Sequence, residues 1–133
     1  MNGDRVALDT NVAVQILNDV PNVINWLNQF GSLLLPVPVI GELSFGARNS
    51  ARAAENLSRS QRLLARCPAM PLDAEIGDVY GRLRLELKIA GRPIPENDLW
   101  IASACVQHQM PLVTLDLHFS VIPELVVLKP QAP

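Results

Sequence analysis

Apolar residues gather in five short blocks, near residues 5–8, 32–37, 69–72, 111–115 and 125–128. Each has the length of a strand. In the first, Val6-Ala7-Leu8 runs apolar without alternation, as a strand buried on both faces does. Between most blocks the apolar positions change to helical spacing. This predicts helices over about 11–17, about 22–30 and about 51–65. Pro38 suits the first turn of another helix, which carries Glu42, Leu43, Phe45 and Arg48. Asp73 reads as the N-cap of a helix bearing Ile76, Val79, Leu83 and Leu87, ended by Gly91. Pro93 and Pro95 lead rigidly into Glu96-Asn97-Asp98, which opens a helix to about Gln107. Strands alternating with helices predict βαβ units, and so an α/β fold with a parallel sheet, right-handed crossovers and helices on both faces.

At 133 residues the chain fits one domain, spanning 1–133, with no repeat or linker and a disordered tail over 129–133. A 49% hydrophobic, 18% charged composition is that of a globular chain, not a disordered one. No apolar run reaches the roughly 20 residues of a membrane helix. The start lacks a basic segment followed by a long apolar stretch, so the expectation is a cytoplasmic protein without a membrane role. Cys67 and Cys105 match no zinc or redox spacing, and Cys105 reads as a buried free thiol. A net charge of −2 excludes binding of nucleic acid by bulk electrostatics, though not a local or metal-assisted grip on phosphates.

Most of the acids have simple structural roles. Asp73 caps a helix, and Glu55 can pair with Arg52 or Arg59. Four are placed differently. Asp9 and Asp116 each follow a buried strand, and in a parallel sheet such ends share the edge where α/β folds bind ligands. Asp98 stands at a helix start beside Leu99, Trp100 and Ile101, and Glu42 lies in an apolar helical setting. Converging carboxylates repel one another and stay ionised only with a cation. Mg2+ or Mn2+ suits such an oxygen-rich site, and either ion can activate water and stabilise charge on a phosphoryl group. The competing interpretation is two helix caps and two surface acids, with Asp9 a plain N-cap.

Four segments in this order, Leu8-Asp9-Thr10-Asn11, Gly41-Glu42-Leu43-Ser44-Phe45-Gly46, Asn97-Asp98-Leu99-Trp100-Ile101-Ala102 and Thr114-Leu115-Asp116-Leu117-His118-Phe119, together resemble the PIN-domain ribonucleases, above all the VapC-type toxins of toxin–antitoxin pairs. The resemblance spans nearly the whole chain. It implies a three-layer α/β/α sandwich around a central parallel β-sheet, an acidic pocket for Mg2+ or Mn2+, and endonucleolytic cleavage of RNA. It makes Asp9, Glu42, Asp98 and Asp116 the catalytic acids, with Asp9, Asp98 and Asp116 as metal ligands. Thr10, Asn11, Asn97 and Thr114 would order the pocket. It further implies a VapB-like antitoxin partner, an RNA substrate and a homodimer.

Arg52, Arg59, Arg62 and Arg66 recur at helical spacing on one face, as a grip on RNA or a partner, or as a solvated surface. His118 reads as an exposed loop histidine, with a metal ligand or proton shuttle as the other reading. His108 suits a helix carboxyl end, and Trp26 and Trp100 suit core packing. Glu96 has no assigned role. A dehalogenase-type phosphatase would need a second Asp where Asn11 stands, and no glycine-rich loop supports a dinucleotide or P-loop site. The remaining rival is a non-catalytic PIN-like module that docks a partner.

Overall fold

The computed structural model describes residues 4–131. Five parallel strands, β1 (Arg5–Leu8), β2 (Ser32–Pro36), β3 (Ala69–Met70), β4 (Leu112–Val113) and β5 (Val127–Leu128), form a sheet in the order β3-β2-β1-β4-β5. Val6, Ala7 and Leu8 are each 0% exposed. Since successive strand side chains point to opposite faces, both faces of the sheet are covered. The covering elements are α1 (Thr10–Leu17), α2 (Pro21–Leu27), α3 (Val37–Arg48), α4 (Ala53–Arg66), α5 (Ala74–Ile89) and α6 (Glu96–Gln107). This is the three-layer α/β/α arrangement expected, with β1 at its centre.

The local signals act where the sequence put them. Asp73 caps α5 by accepting a hydrogen bond from the Ile76 N–H at 2.9 Å. Pro38 lies in the first turn of α3. Gly91 follows α5 with φ +70, the left-handed conformation that ends helices at little cost to glycine. His108 is the C-cap of α6. Trp26 meets Phe30 edge-on and Trp100 stacks on Tyr80, both packed against the core. Both cysteines are buried free thiols, and burial, aided by the charge of Asp9, pushes Cys105 up to about 12.

Two expectations shift. The last three strands, two residues each, are shorter than the apolar blocks that announced them. In the tail expected to be disordered, Pro130 is buried, since β5 pairs with β4 through Leu128 and carries the following residues onto the domain. Ala132 and Pro133 lie outside the described residues.

Candidate active site

The strand order reverses between β1 and β4, and α/β sheets bind ligands at the carboxyl edge of such a switch. Leu8 is paired with Val113, so Asp9 and Thr114 leave the sheet side by side. The Asp9 N–H donates to the Val113 carbonyl at 2.9 Å. The Thr114 hydroxyl donates to Asp9 Oδ2 at 2.7 Å, and Asn11 Nδ2 donates to the same oxygen at 3.4 Å. Asp9 Oδ1 accepts from the Thr10 N–H at 2.8 Å, so the carboxylate does cap α1 while being held from the sheet side. Asn11 Oδ1 accepts from the Leu115 N–H at 3.2 Å, and Thr114 Oγ1 accepts from the Asp116 N–H at 3.0 Å. Asp9 is only 5% exposed, yet among the described residues no Lys or Arg pairs with it. A buried carboxylate satisfied only by neutral donors keeps its appetite for a cation.

Glu42, one turn into α3, is drawn to this edge by the Thr10 hydroxyl, which donates to its Oε1 at 2.8 Å. Asp98 arrives from the first turn of α6, anchored by buried Leu99 and Ile101. Glu96, unassigned from sequence, ties that turn to α5. Its carboxylate accepts from the Tyr80 hydroxyl, which also accepts from Arg84 Nη1 at 2.7 Å, while the Tyr80 ring stacks on Trp100 at 3.9 Å. Burial pushes the Asp98 carboxyl above the usual range. The charges of Asp9 and Glu42 add to that push, and the hydrogen bond and charge of His118 oppose it.

His118 overturns the exposed-loop expectation. Its Nε2 lies 2.6 Å from Asp98 Oδ2 and its Nδ1 lies 2.7 Å from Asp116 Oδ1. Its backbone N–H donates to the same Asp116 oxygen at 3.1 Å, so Asp116 caps the 3-10 turn Leu117–Val121 and turns the ring inward. Buried Phe119 backs the imidazole, with ring centroids 4.8 Å apart. Asn97, expected to order the pocket, is exposed and makes no side-chain hydrogen bond among the described residues. One residue along a helix turns the side chain by about 100°, so with Asp98 facing the site, Asn97 faces water.

The PIN-domain family model matches residues 6–125. The chain belongs to the PIN-domain family. The VapC2 ribonuclease of Rickettsia felis is 32% identical over 125 residues, covering 90% of this chain and 93% of its own. The tRNA(fMet)-specific endonuclease VapC of Shigella flexneri is 28% identical over 113 residues, covering 83% and 85%. Among solved structures, VapBC2 from Rickettsia felis bound to a promoter DNA fragment superposes with a TM-score of 0.88 at 30% identity, covering 94% of this chain and 98% of that one. VapBC-1 from nontypeable Haemophilus influenzae gives 0.86 at 26% identity, covering 94% and 97%.

The donor chemistry of this PIN domain fits a divalent cation. Asp98, Asp116 and His118 each offer a ligand atom, all within 4.8 Å of one another. Asp9 and Glu42 are close enough for their charges to act on Asp98. Carboxylate oxygens in this number suit Mg2+ or Mn2+.

The four arginines of the stripe have different surroundings in this PIN domain. Arg52 is the residue before α4, outside the helix, and pairs with Glu55 at 3.5 Å on the surface. Arg59 turns toward α1, donating to the Leu17 carbonyl and to Asn56 Oδ1 at 3.3 Å. It lines a hollow of about 250 Å³ that also touches Thr10, Val14, Glu42 and Gly46. Arg62 is exposed and reaches only Ser58, at 2.9 Å, and Arg66 is exposed in the last turn of α4.

Proposed function

We propose that this PIN-domain protein is a Mg2+- or Mn2+-dependent endoribonuclease, the toxin of a VapBC-type toxin–antitoxin pair, that hydrolyses RNA phosphodiester bonds. The observation that carries this reading is the buried Asp9 carboxylate, held by Thr10, Asn11 and Thr114, with three further acids gathered around the same sheet edge. The relatives named ribonuclease or endonuclease, and the solved VapBC assemblies, support it.

Asp9, Asp98 and Asp116 would hold the ion. When bound, the ion lowers the pKa of water and stabilises charge developing on the phosphoryl oxygens. The chain's own residues do the rest. Thr114, Asn11 and the Thr10 N–H fix Asp9 in orientation, so it needs no rearrangement as charge develops. Glu42, held at Oε1 by Thr10, keeps Oε2 free to accept a proton from the attacking water. Without a cation the acidic edge repels a phosphodiester, which makes metal a condition for substrate approach.

A VapB-like antitoxin is the proposed partner. Val14, 40% exposed, lines the hollow beside Glu42, and Phe45, 69% exposed, is left open on α3, the helix that carries Glu42. Apolar side chains left open near a site suit an interaction surface. Arg59 and Arg62 are the proposed polar contacts to partner or RNA, and a homodimer is the proposed resting state. Among the described residues no helix is long and apolar enough to cross a membrane.

The test is cleavage of end-labelled RNA by the purified chain with Mg2+ or Mn2+, against EDTA and Asp9→Asn. Cleavage is expected with either ion and lost in both controls. Activity that survives EDTA and Asp9→Asn together would sink the metal-nuclease reading.

A further inference from the structure

We infer that His118 is itself a ligand to the ion, through Nε2, and that Asp116, besides its own place at the ion, is the carboxylate that orients the ring. The inference rests on the metal-dependent reading above and assigns a role that the four acids do not supply. Three observations carry it.

First, Nε2 faces Asp98 at 2.6 Å, and Asp98 is the acid at which the charges of Asp9 and Glu42 are also felt. A cation drawn to the greatest negative charge therefore arrives beside Nε2. Second, Asp116 Oδ1 is already engaged twice by His118, from Nδ1 at 2.7 Å and from the backbone N–H at 3.1 Å. A metal-bound histidine almost always donates its other ring N–H to a carboxylate, a backbone carbonyl or water, and Asp116 stands where such an acceptor sits. Third, the ring is positioned before any ion arrives, because the 3-10 turn fixes its backbone and the buried Phe119 backs it.

The chemical consequence is selectivity. Mg2+ prefers oxygen ligands and near-ideal octahedral geometry, whereas Mn2+ accepts an imidazole more readily. A site of Asp9, Asp98, Asp116 and His118 should favour Mn2+ more than an all-carboxylate one.

The experiment loads the full chain with Mn2+ and reads electron spin echo modulation. The wild type is expected to show nitrogen-14 modulation from a directly bound imidazole. His118→Gln is expected to lose it while still binding Mn2+ through the carboxylates, more weakly than the wild type. Mg2+ competition against bound Mn2+ should show the Mn2+ preference shrinking in that variant. Mn2+ bound to the wild type without nitrogen modulation, or an Mn2+ preference unchanged in His118→Gln, overturns the inference and leaves the acidic metal site standing. If the wild type binds no Mn2+, the metal reading fails, and this inference with it.

Discussion

Replacing Thr114 with Val keeps the shape of the side chain and removes one oxygen. Thr114 is 1% exposed, and its hydroxyl has two principal partners, Asp9 Oδ2 as acceptor and the Asp116 N–H as donor. Losing a buried hydrogen bond to a charged group costs about 1.5–3 kcal/mol. The stranded Asp116 N–H adds about 1 kcal/mol, the low end for an unsatisfied group, because Asp116 is only half-buried. The expected loss is about 3 kcal/mol, which for a domain of this size lowers Tm by about 10 °C. Urea unfolding followed by tryptophan fluorescence, in EDTA near neutral pH, measures it. Thr114→Ser keeps the oxygen and gives up one methyl, so it should cost only about 1 kcal/mol. A Thr114→Val loss within about 0.5 kcal/mol of wild type, the range of ordinary surface changes, would refute the reasoning. A Thr114→Ser loss as large as that of Thr114→Val would also refute it, since methyl packing and not the hydroxyl would then hold the edge together.

Asp98 gives a pH prediction with a definite sign. Its folded-state pKa is raised, by burial first and by Asp9 and Glu42 as well, so its contribution to stability is complete below the ordinary value of 3.8 and is lost as pH rises through the folded value. In EDTA, Asp98→Asn should therefore melt above wild type near pH 7, with the gap closing toward about pH 3, and a gap that does not change with pH would contradict this. The two central arginines of α4 should separate. Arg59→Ala strands the Leu17 carbonyl and Asn56, and should cost about 1–3 kcal/mol in chemical unfolding. Arg62→Ala, on an exposed side chain, should stay within about 0.5 kcal/mol, and equal losses would show that the turn of Arg59 toward α1 holds nothing.

The legible parts of the chain were those in which the partner lies close in sequence or is imposed by the sheet. The Val6-Ala7-Leu8 run announced a strand covered on both faces, and the acids after β1 and β4 had to meet once those strands were parallel neighbours. Asp73 and Pro38 act within their own helical turns. His118 failed this test. Its role comes from Asp98, 20 residues away on another element, and no local pattern declares that pairing. The spacing of two residues from Asp116 was the available signal, since an acid capping a 3-10 turn folds the next-but-one residue back upon itself. Glu96 was opaque for a similar reason, its partner Tyr80 being 16 residues upstream. The arginine stripe shows the limit of periodicity. Helical spacing found the face, but it could not say that Arg59 bends across to the end of α1 while Arg62 stays in water.

The position of β1 also governs when the site comes into being. The first strand made is the central one, and Asp9 waits for Thr114, 105 residues later. At a synthesis rate of about 5–20 residues per second, that interval lasts from about five to about twenty seconds. A growing chain that has released β1, β2 and their helices holds half a sheet, with Asp9 lacking its principal donor and neither Asp116 nor His118 yet made. A prematurely terminated product ending before β4 lacks Thr114, Asp116 and His118 altogether. The fold thus delays the assembly of this edge until β4 has followed β1.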